Sequence, residues 1–370
     1  EQGYPCVVSD GAGGIIVAWY DYRNAATTWA DIYAQRVHAD GSIGWTANGV
    51  PVCTAARNQG YPVIAPVEGG GAIVAWQDDR NNTGWDVYAQ RLSGDGTPLW
   101  TADGVALCTE TTWQEELTII PYRQRGALVI WEDSRATTNI DLYGEHIDSS
   151  GVVQWGGNGY GLITESHDQY DPIAFNTGYD DSGYYLVWVD IRGGTADIYA
   201  ERFSGVYTGW TTDGLAVCAA AGNQNYAEAV RYGEYDLVVW WQDNRGSDID
   251  LYAQRLDFLG NTLWTANGEA ICAHSRNQAA AEAIESATGD LLFVWSDARN
   301  LYSDLFAQRV APDGSPRWDP DGIVFVDDTY YRGAPLLAPD DEGGAIVAWN
   351  DQRDWQTQGC LLYTSDAADE

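Results

Sequence analysis

Two kinds of residue in this chain could carry chemistry, and the first is a set of acids. Glu228 and Glu282 stand at the same position of two consecutive sequence repeats, and Glu116 and Asp171 stand two positions earlier in two others. Neighbouring carboxylates can act as the acid and the base of glycoside hydrolysis if the fold brings them close enough. The alternative, which we favour at this stage, is that these acids line a solvated channel and that Glu228 and Glu282 are only weak catalytic candidates.

The second kind is a set of tryptophans in segments that read as loops. Trp29, Trp85 and Trp355 follow the second strand-like run of the first, second and seventh repeats, and Trp113 precedes the third repeat. A flat apolar ring beside hydroxyl-binding polar groups suits stacking against a sugar. We therefore expect a glycan or protein ligand on this loop face. The alternative is that each tryptophan covers the edge of its own repeat.

The repeat that positions these residues is defined by the sequence W-x-D-x-R. It occurs seven times, starting at Trp19, Trp76, Trp131, Trp188, Trp241, Trp295 and Trp349, with spacings of 57, 55, 57, 53, 54 and 54 residues. A period of this length is typical of propellers and other repeat architectures. The predicted repeats are 1–57, 58–112, 113–167, 168–222, 223–276, 277–330 and 331–358, forming a single domain over 1–358.

Each repeat contains four short apolar runs separated by turn residues. In the second repeat they are residues 59–65, 72–76, 86–92 and 98–108, which are rich in β-branched and aromatic residues and bounded by Gly, Asn, Asp and Pro. This is the pattern of strands. It predicts an all-β fold, a β-propeller of seven blades with four antiparallel strands each, the seventh blade being incomplete. An open β-solenoid is the alternative, although its coils are usually shorter.

The acidic and basic residues of the motif recur in every repeat, which favours a structural role, because a catalytic group is needed only once. We expect a guanidinium between two carboxylates, one from the motif and one that opens the third strand, to tie a strand end to its loop. Repeated ligand pockets are the alternative. The motif residues are Asp21, Arg23, Asp78, Arg80, Asp133, Arg135, Asp190, Arg192, Asp243, Arg245, Asp297, Arg299, Asp351 and Arg353.

The turn between the third and fourth runs carries a family resemblance. The segments starting at Asp40, Asp95 and Asp313, each an Asp-Gly pair followed by Trp five residues after the Asp, resemble the Asp-box of sialidase-type propellers. The glycine stands one position early, however, and the turns at Gly151, Gly205 and Gly260 lack the Asp. The resemblance implies a folding element. A sialidase-like or other glycoside hydrolase is the alternative function, but the R-I-P segment typical of sialidases does not occur.

Two further resemblances concern the whole chain and its end. The repeat is similar to W-x-D-x-R / D-x-Y-A-Q-R arrays of secreted or surface proteins of bacteria, which implies an extracellular or cell-surface location without implying an activity. The segment 359–370 matches no repeat position and resembles the translated sequencing-adapter tail found in proteins from metagenomic assemblies. We therefore expect it to be non-native, and we expect that the chain starts after its true N-terminus.

The amino-acid composition limits the classes of binding partner that we expect. The formal net charge is −35 at pH 7, which argues against nucleic acid and anionic membranes. No run is long and apolar enough to predict membrane insertion. Four of the six cysteines, Cys53, Cys108, Cys218 and Cys272, share one repeat position and are expected to pack as small hydrophobes.

The positions of the histidines and the lack of a unique catalytic set decide what the sequence predicts about cofactors and function. The four histidines lack metal-ligand spacing, so no metal site and no cofactor are predicted, with calcium in the acidic loops as the alternative. Because no unique catalytic set stands out, we expect a non-catalytic binding or scaffold module, monomeric within a larger parent protein.

Overall fold

In the computed structural model, the residues described are 1–180, 182–300, 303–327, 332–340 and 343–351, together with the backbone of 359–364. They form β-strands and turns, and none of the described residues belongs to a helix that could span a membrane. The chain divides into two compact units. Unit 1 consists of Glu1–Leu186 and Phe203–Tyr207, and unit 2 of Val187–Arg202 and Thr208–Glu370.

The first three repeats each form one four-stranded antiparallel sheet with its strands in chain order. We call each such sheet a blade. Blade 1 contains β1 (Gln2–Ser9), β2 (Ile15–Asp21), β3 (Asp31–Val37) and β4 (Val50–Cys53); blade 2 contains β5 (Gln59–Val67), β6 (Gly71–Asp78), β7 (Asp86–Leu92) and β8 (Val105–Cys108); blade 3 contains β9 (Gln114–Tyr122), β10 (Gly126–Asp133), β11 (Asp141–Ile147) and β12 (Tyr160–Ile163).

The fourth repeat adds a two-residue strand beside β15, and the next two repeats return to four strands. Blade 4 contains β13 (Gln169–Asn176), β14 (Gly183–Asp190), β15 (Asp197–Ser204), β16 (Tyr207–Thr208) and β17 (Leu215–Cys218); blade 5 contains β18 (Gln224–Tyr232), β19 (Asp236–Asp243), β20 (Asp250–Leu256) and β21 (Glu269–Cys272); blade 6 contains β22 (Gln278–Glu285), β23 (Leu291–Asp297), β24 (Asp304–Val310) and β25 (Ile323–Val326).

Among the described residues, the seventh sheet has three strands, β26 (Arg332–Pro339), β27 (Ala345–Asp351) and β28 (Gly359–Thr364). The prediction of an all-β propeller with four-stranded blades and an incomplete seventh blade is confirmed. One detail differs, because β28 comes from the segment that we had left outside the repeat, and it pairs with β27 from Asp351↔Gly359 to Ile346↔Thr364. An unpaired edge of β27 would offer its backbone groups to any extended segment nearby, which accounts for the pairing with β28. The adapter-like origin of 359–370 stays a prediction, as do the domain boundaries.

The second strand of each blade forms the core. All eight residues of β6 and of β14 are buried, as expected for strands covered on both faces. The motif tryptophan of this strand extends its ring to a glycine that precedes the fourth strand. In blade 2 a Cβ atom on Gly104 would lie 2.5 Å from Cη2 of Trp76, and Gly104 has a φ of +90°. Both the close approach and the backbone conformation therefore require glycine at this position.

The motif carboxylate accepts hydrogen bonds from four donor atoms. In blade 3, Asp133 Oδ2 accepts hydrogen bonds from Trp131 Nε1 (2.9 Å) and Arg135 Nη2 (2.6 Å), and Asp133 Oδ1 accepts from Arg135 Nε (2.8 Å) and Arg135 N (2.9 Å). The arginine also donates to Asn158 O (2.7 Å) and lies 3.9 Å from the ring centre of Tyr143. We call this arrangement the Trp–Asp–Arg staple, and it recurs around Asp21, Asp78, Asp190, Asp243 and Asp297.

The staple differs from the expected guanidinium between two carboxylates. Both arms of Arg80 bind Asp78, at 2.8 and 2.6 Å, and its flat face covers the Tyr88 ring at 3.8 Å. The second carboxylate, Asp86, instead accepts from Asn81 Nδ2 at 2.6 Å. Burial raises the pKa of Asp86 to about 6. A bidentate pair with one carboxylate and a stacked ring uses the planar shape of arginine more fully than a bridge would. Arg353 lies outside the described residues.

The staple also joins consecutive blades through the cysteines. Arg80 Nη2 lies 3.2 Å from Cys53 Sγ, and Arg135 Nη2 lies 3.2 Å from Cys108 Sγ. Each cysteine ends the fourth strand of the preceding blade. The described cysteines are free thiols, and burial raises the pKa of Cys108 to about 12. They therefore act as neutral packing groups at the blade contact.

Removing a staple carboxylate should destabilise the fold. We expect Asp133→Asn to lower the free energy of unfolding by about 3 kcal/mol, because it leaves a largely buried guanidinium without its charge partner. Asp79→Asn is the matched control, since the Asp79–Arg57 pair is exposed and such pairs contribute at most about 1 kcal/mol. Urea denaturation of both variants checks this, and equal shifts in the two midpoints would contradict the structural role of the staple.

Candidate functional site

The first strand of each blade contains a bulge with an unusual backbone. One residue in each has a positive φ between 46° and 53°, and the pairing register with the second strand shifts there in the blades for which it is described. Non-glycine residues rarely adopt this conformation. We call this the bulge position, and it is occupied by Tyr4, Tyr61, Glu116, Asp171, Tyr226, Ala280 and Ala334. The backbone is constant while the side chain varies, which is what a ligand-selecting position requires.

In unit 1 the bulge position gives rise to a row of aromatic rings. The centroids of Tyr4 and Tyr61 are 4.8 Å apart with their planes nearly perpendicular, and Tyr61 lies 6.3 Å from the ring of Trp85. On the other side, Tyr4 lies 5.7 Å from Tyr20, and Tyr20 lies 5.5 Å from Tyr22. We call these five residues the aromatic surface. Tyr4 is 59 % and Tyr61 42 % exposed, so the row presents ring faces to solvent.

Backbone bonds place the predicted loop tryptophans beside this surface. Gln114 N donates to Trp85 O (2.9 Å), and Gln114 directly follows Trp113. Likewise, Gln59 N donates to Ala30 O (2.8 Å), the residue after Trp29. The side chains of Trp29 and Trp113 are 62 % and 55 % exposed. The structure therefore brings Trp85 into the aromatic surface and holds Trp113 next to it, whereas Trp355 lies outside the described residues. A ligand role for these tryptophans stays a prediction.

A group of carboxylates follows the aromatic surface along unit 1. Glu132 is the acid in the second position of the third W-x-D-x-R motif, and it pairs across the sheet with Glu115. Its Oε1 accepts a hydrogen bond from the backbone amide of Asp171 at 2.7 Å. Burial raises the pKa of Glu132 to about 7, and the charges of Asp171, Glu116 and Glu115 act in the same direction. Burial also raises the pKa of Asp171 and of Glu115.

These neighbours make Glu132 suited to proton transfer. A carboxyl group that titrates near neutral pH can both donate and accept a proton at that pH. A carboxyl group whose pKa is raised by burial and by neighbouring acids is typical of acid–base sites.

The weak catalytic candidates Glu228 and Glu282 lie in unit 2. Both line one cleft of about 520 Å³, together with Tyr226, Trp240 and Gln242. Burial raises the pKa of Glu282. The repeat position therefore brings these two acids to a common cavity, as the alignment suggested. Their catalytic role stays a prediction.

Calcium binding by the acidic loops is the alternative to a protein without a metal site. Within the part of the chain that the structure describes, no group of three or more His, Cys, Asp or Glu side chains could hold a metal ion. His146 is buried against the rings of Tyr122 and Trp155, and burial lowers its pKa to about 4. Its surroundings are those of a neutral core residue.

Sequence reasoning missed Glu132 and the tyrosine row. A signal for Glu132 existed, because the second motif position holds Tyr20, Gln77, Glu132, Val189, Gln242, Ser296 and Asn350, and Glu132 is the acid among them. The tyrosines gave a weaker signal. Tyr4 and Tyr61 share a repeat position, but their edge-to-face contact depends on the left-handed bulge, which a strand pattern does not show.

The raised pKa of Glu132 predicts a pH-dependent cost to stability. In the folded state the protonated form is favoured, so the stability present below the ordinary pKa near 4.5 is lost as pH rises through about 7. Glu132→Gln should therefore be more stable than the wild type at pH 8 by on the order of 1–3 kcal/mol, and similar to it at pH 4.5. Urea denaturation at the two pH values measures this, and a difference that does not change with pH would refute the shift.

Comparisons with known proteins support the fold. No protein-family model matches the chain, and no curated protein matches it in sequence. Among solved structures, an ulvan lyase of polysaccharide lyase family PL25 is similar with a TM-score of 0.57 and 9 % identity, over 98 % of this chain and 93 % of that chain. A puromycin hydrolase is similar with a TM-score of 0.52 and 14 % identity, over 94 % of this chain and 50 % of that chain. At such identities the similarity concerns the fold alone.

Proposed function

We propose that this protein binds a neutral glycan on the aromatic surface of unit 1. The observation that carries the proposal is the row of rings from Tyr22 through Tyr4 and Tyr61 to Trp85, with successive centroids 4.8 to 6.3 Å apart and several faces open to solvent. Exposed apolar rings reduce the solubility of a protein, so a contiguous row of them on a strongly acidic protein indicates a binding role. A sugar chain fits such a row, because each pyranose presents an apolar face to a ring and its hydroxyls to the rim.

The rings are held in place before a ligand arrives. Tyr61 is in edge contact with both Tyr4 and Trp85, and the left-handed bulge fixes its backbone at a φ of 49°. Side chains that are already ordered lose little entropy on binding, which improves affinity for a given contact area. The surface is therefore suited to repeated weak contacts along a chain of sugars.

Charge favours a neutral glycan over a polyanion. The net charge is −35, and the carboxylates Glu115 and Glu116 belong to β9, which contacts the strand β5 that carries Tyr61, while Asp171 belongs to β13, which contacts β9. Repulsion extends over about 8 Å at physiological salt. The same carboxylates can accept hydrogen bonds from sugar hydroxyls. We infer in addition a bacterial secreted or cell-surface protein, acting as a monomeric module, with neither nucleic acid nor a membrane as its partner.

Removing two rings should abolish binding to the surface. The double variant Tyr61→Ala, Trp85→Ala should lose at least tenfold in affinity for soluble neutral polysaccharides such as xylan, glucan or arabinan. The reason is that the sugar rings lose two adjacent aromatic rings on which they would stack. Affinity gel electrophoresis and a glycan array measure this.

Tyr207→Ala serves as the control for these variants, because Tyr207 is a 77 % exposed tyrosine that does not belong to the aromatic surface. It should bind like the wild type. Unchanged binding by the double variant, with circular dichroism showing an intact fold, would overturn the proposal.

A second candidate function is cleavage of the bound glycan, and it is favoured by Glu132. Its pKa of about 7 and the nearby Asp171 and Glu116 provide a proton donor with carboxylates around it. In hydrolysis such a donor would protonate the leaving glycosidic oxygen while a second carboxylate takes a proton from the attacking water. The fold similarity to an ulvan lyase is compatible with a glycan-active protein.

Turnover of a bound polysaccharide distinguishes the two candidate functions, binding alone and cleavage. If the second holds, wild-type protein releases reducing ends or unsaturated products from a polysaccharide that it binds, and Glu132→Gln loses at least 100-fold in kcat while retaining affinity. Glu110→Gln, an exchange at a partly buried acid outside the carboxylate group, is the control. Binding without product in the wild type would leave the non-catalytic module as the function.

A further inference from the structure

We propose that the cleft of unit 2 is a second binding site, selective for an amino sugar whose protonated amine lies between Glu228 and Glu282. The cleft has a volume of about 520 Å³ and is bordered by residues of β18, β19, β22 and β26. It belongs to unit 2 and differs from the aromatic surface in its lining, so it goes beyond the glycan binding proposed for unit 1.

The cleft is open because small residues occupy the bulge position. Blades 6 and 7 carry Ala280 and Ala334 where blade 5 carries Tyr226, with nearly the same φ of 49°, 47° and 51°. In blades 1 and 2 this position carries two tyrosines whose rings are in contact, with centroids 4.8 Å apart. One wall is fixed by the buried Trp240, whose Nε1 donates to Ala281 O at 2.9 Å. The volume is therefore a property of the sequence at the bulge position.

The lining selects for positive charge. Two of its side chains are carboxylates, and none of the described residues that line the cleft is Lys, Arg or His. Burial raises the pKa of Glu282, which means that its negative charge is costly in the empty cleft. A bound ammonium group would remove that cost and gain charge-assisted hydrogen bonds to carboxylate oxygens. A neutral ligand offers no such gain.

The remaining lining selects for a hydroxylated ring. Gln242 contributes an amide that can donate and accept, and Tyr226 contributes an exposed ring and a hydroxyl. Alanine and leucine side chains form the rest of the wall, and the volume falls within the range of about 300–1,000 Å³ that is typical of small-molecule sites. A ligand that has an ammonium group, hydroxyls and an apolar ring face uses all of these groups, and an amino sugar has each of them.

The test uses the full chain and three probes: a glucosamine trimer, the corresponding N-acetylglucosamine trimer, which lacks the charge, and spermidine, a smaller linear molecule that has amines without hydroxyls. Calorimetry should show at least tenfold tighter binding of the glucosamine trimer than of either other probe. Glu228→Gln and Glu282→Gln should each weaken it at least tenfold. Ala280→Tyr should abolish it, because the larger ring would occupy part of the cleft. The variant should still fold, since tyrosine already adopts this backbone conformation in three other blades.

Two controls separate this site from general charge attraction and from the proposed function. Glu234→Gln removes an exposed acid of unit 2 and should change the affinity less than twofold. Tyr61→Ala with Trp85→Ala should leave amino-sugar binding unchanged while it removes neutral glycan binding, so failure of one proposal does not imply failure of the other. Equal affinity for the three probes, or unchanged affinity in the two glutamate variants with an intact thermal transition, would overturn the inference.

Discussion

The carboxylate of the W-x-D-x-R motif is the group on which each of the first six blades depends. In blade 3 it binds the indole of Trp131 in its own strand and both arms of the Arg135 guanidinium, which in turn reaches a carbonyl before the fourth strand and the Cys108 sulfur of the preceding blade. One buried acid thus connects the second strand, the following loop and the neighbouring sheet. Because such a pair is costly to break and gains much from ideal geometry, it fixes the arrangement of these elements.

The pairing of the motif Asp with the motif Arg limits which positions of the repeat can bind a ligand or act in catalysis. In the six motifs whose Asp and Arg both belong to the described residues, these two side chains bind each other. Variation is tolerated at two positions, the second residue of the motif and the bulge position of the first strand. Tyr20, Tyr61 and Glu132 all come from these two positions in unit 1. In unit 2 the same positions provide Gln242, Tyr226 and Ala280, which give a cleft instead of a row of rings.

Much of the frame could be predicted from the sequence, because a repeated hydrophobic pattern reports burial directly. Asp86–Leu92 is a strand with the expected bounds, whereas the fourth run begins at Val105 instead of residue 98. The reason is local: Pro98 forms an isolated bridge with Leu92, and Gln90 then binds the backbone of Trp100 (N to Oε1, 2.9 Å) and Thr101 (Nε2 to O, 2.8 Å), so regular pairing resumes only at Val105. The site was harder to predict. The pKa of Glu132 depends on burial and on carboxylates of β9 and β13, and sequence spacing contains no information about that neighbourhood.

The left-handed bulge links the frame to the sites. Holding a non-glycine residue at a φ near 50° costs on the order of 1 kcal/mol or more, and this fold repeats the conformation in every blade. Such a conformation persists only where the surrounding structure imposes it, and here it coincides with the register shift against the second strand. A substitution at the bulge therefore changes the side chain presented without changing the backbone that presents it. Neighbouring tyrosines yield a row of rings in edge contact, acids raise a neighbouring pKa, and alanines border a cleft, so one strained position contributes much of the chemical difference between the two units.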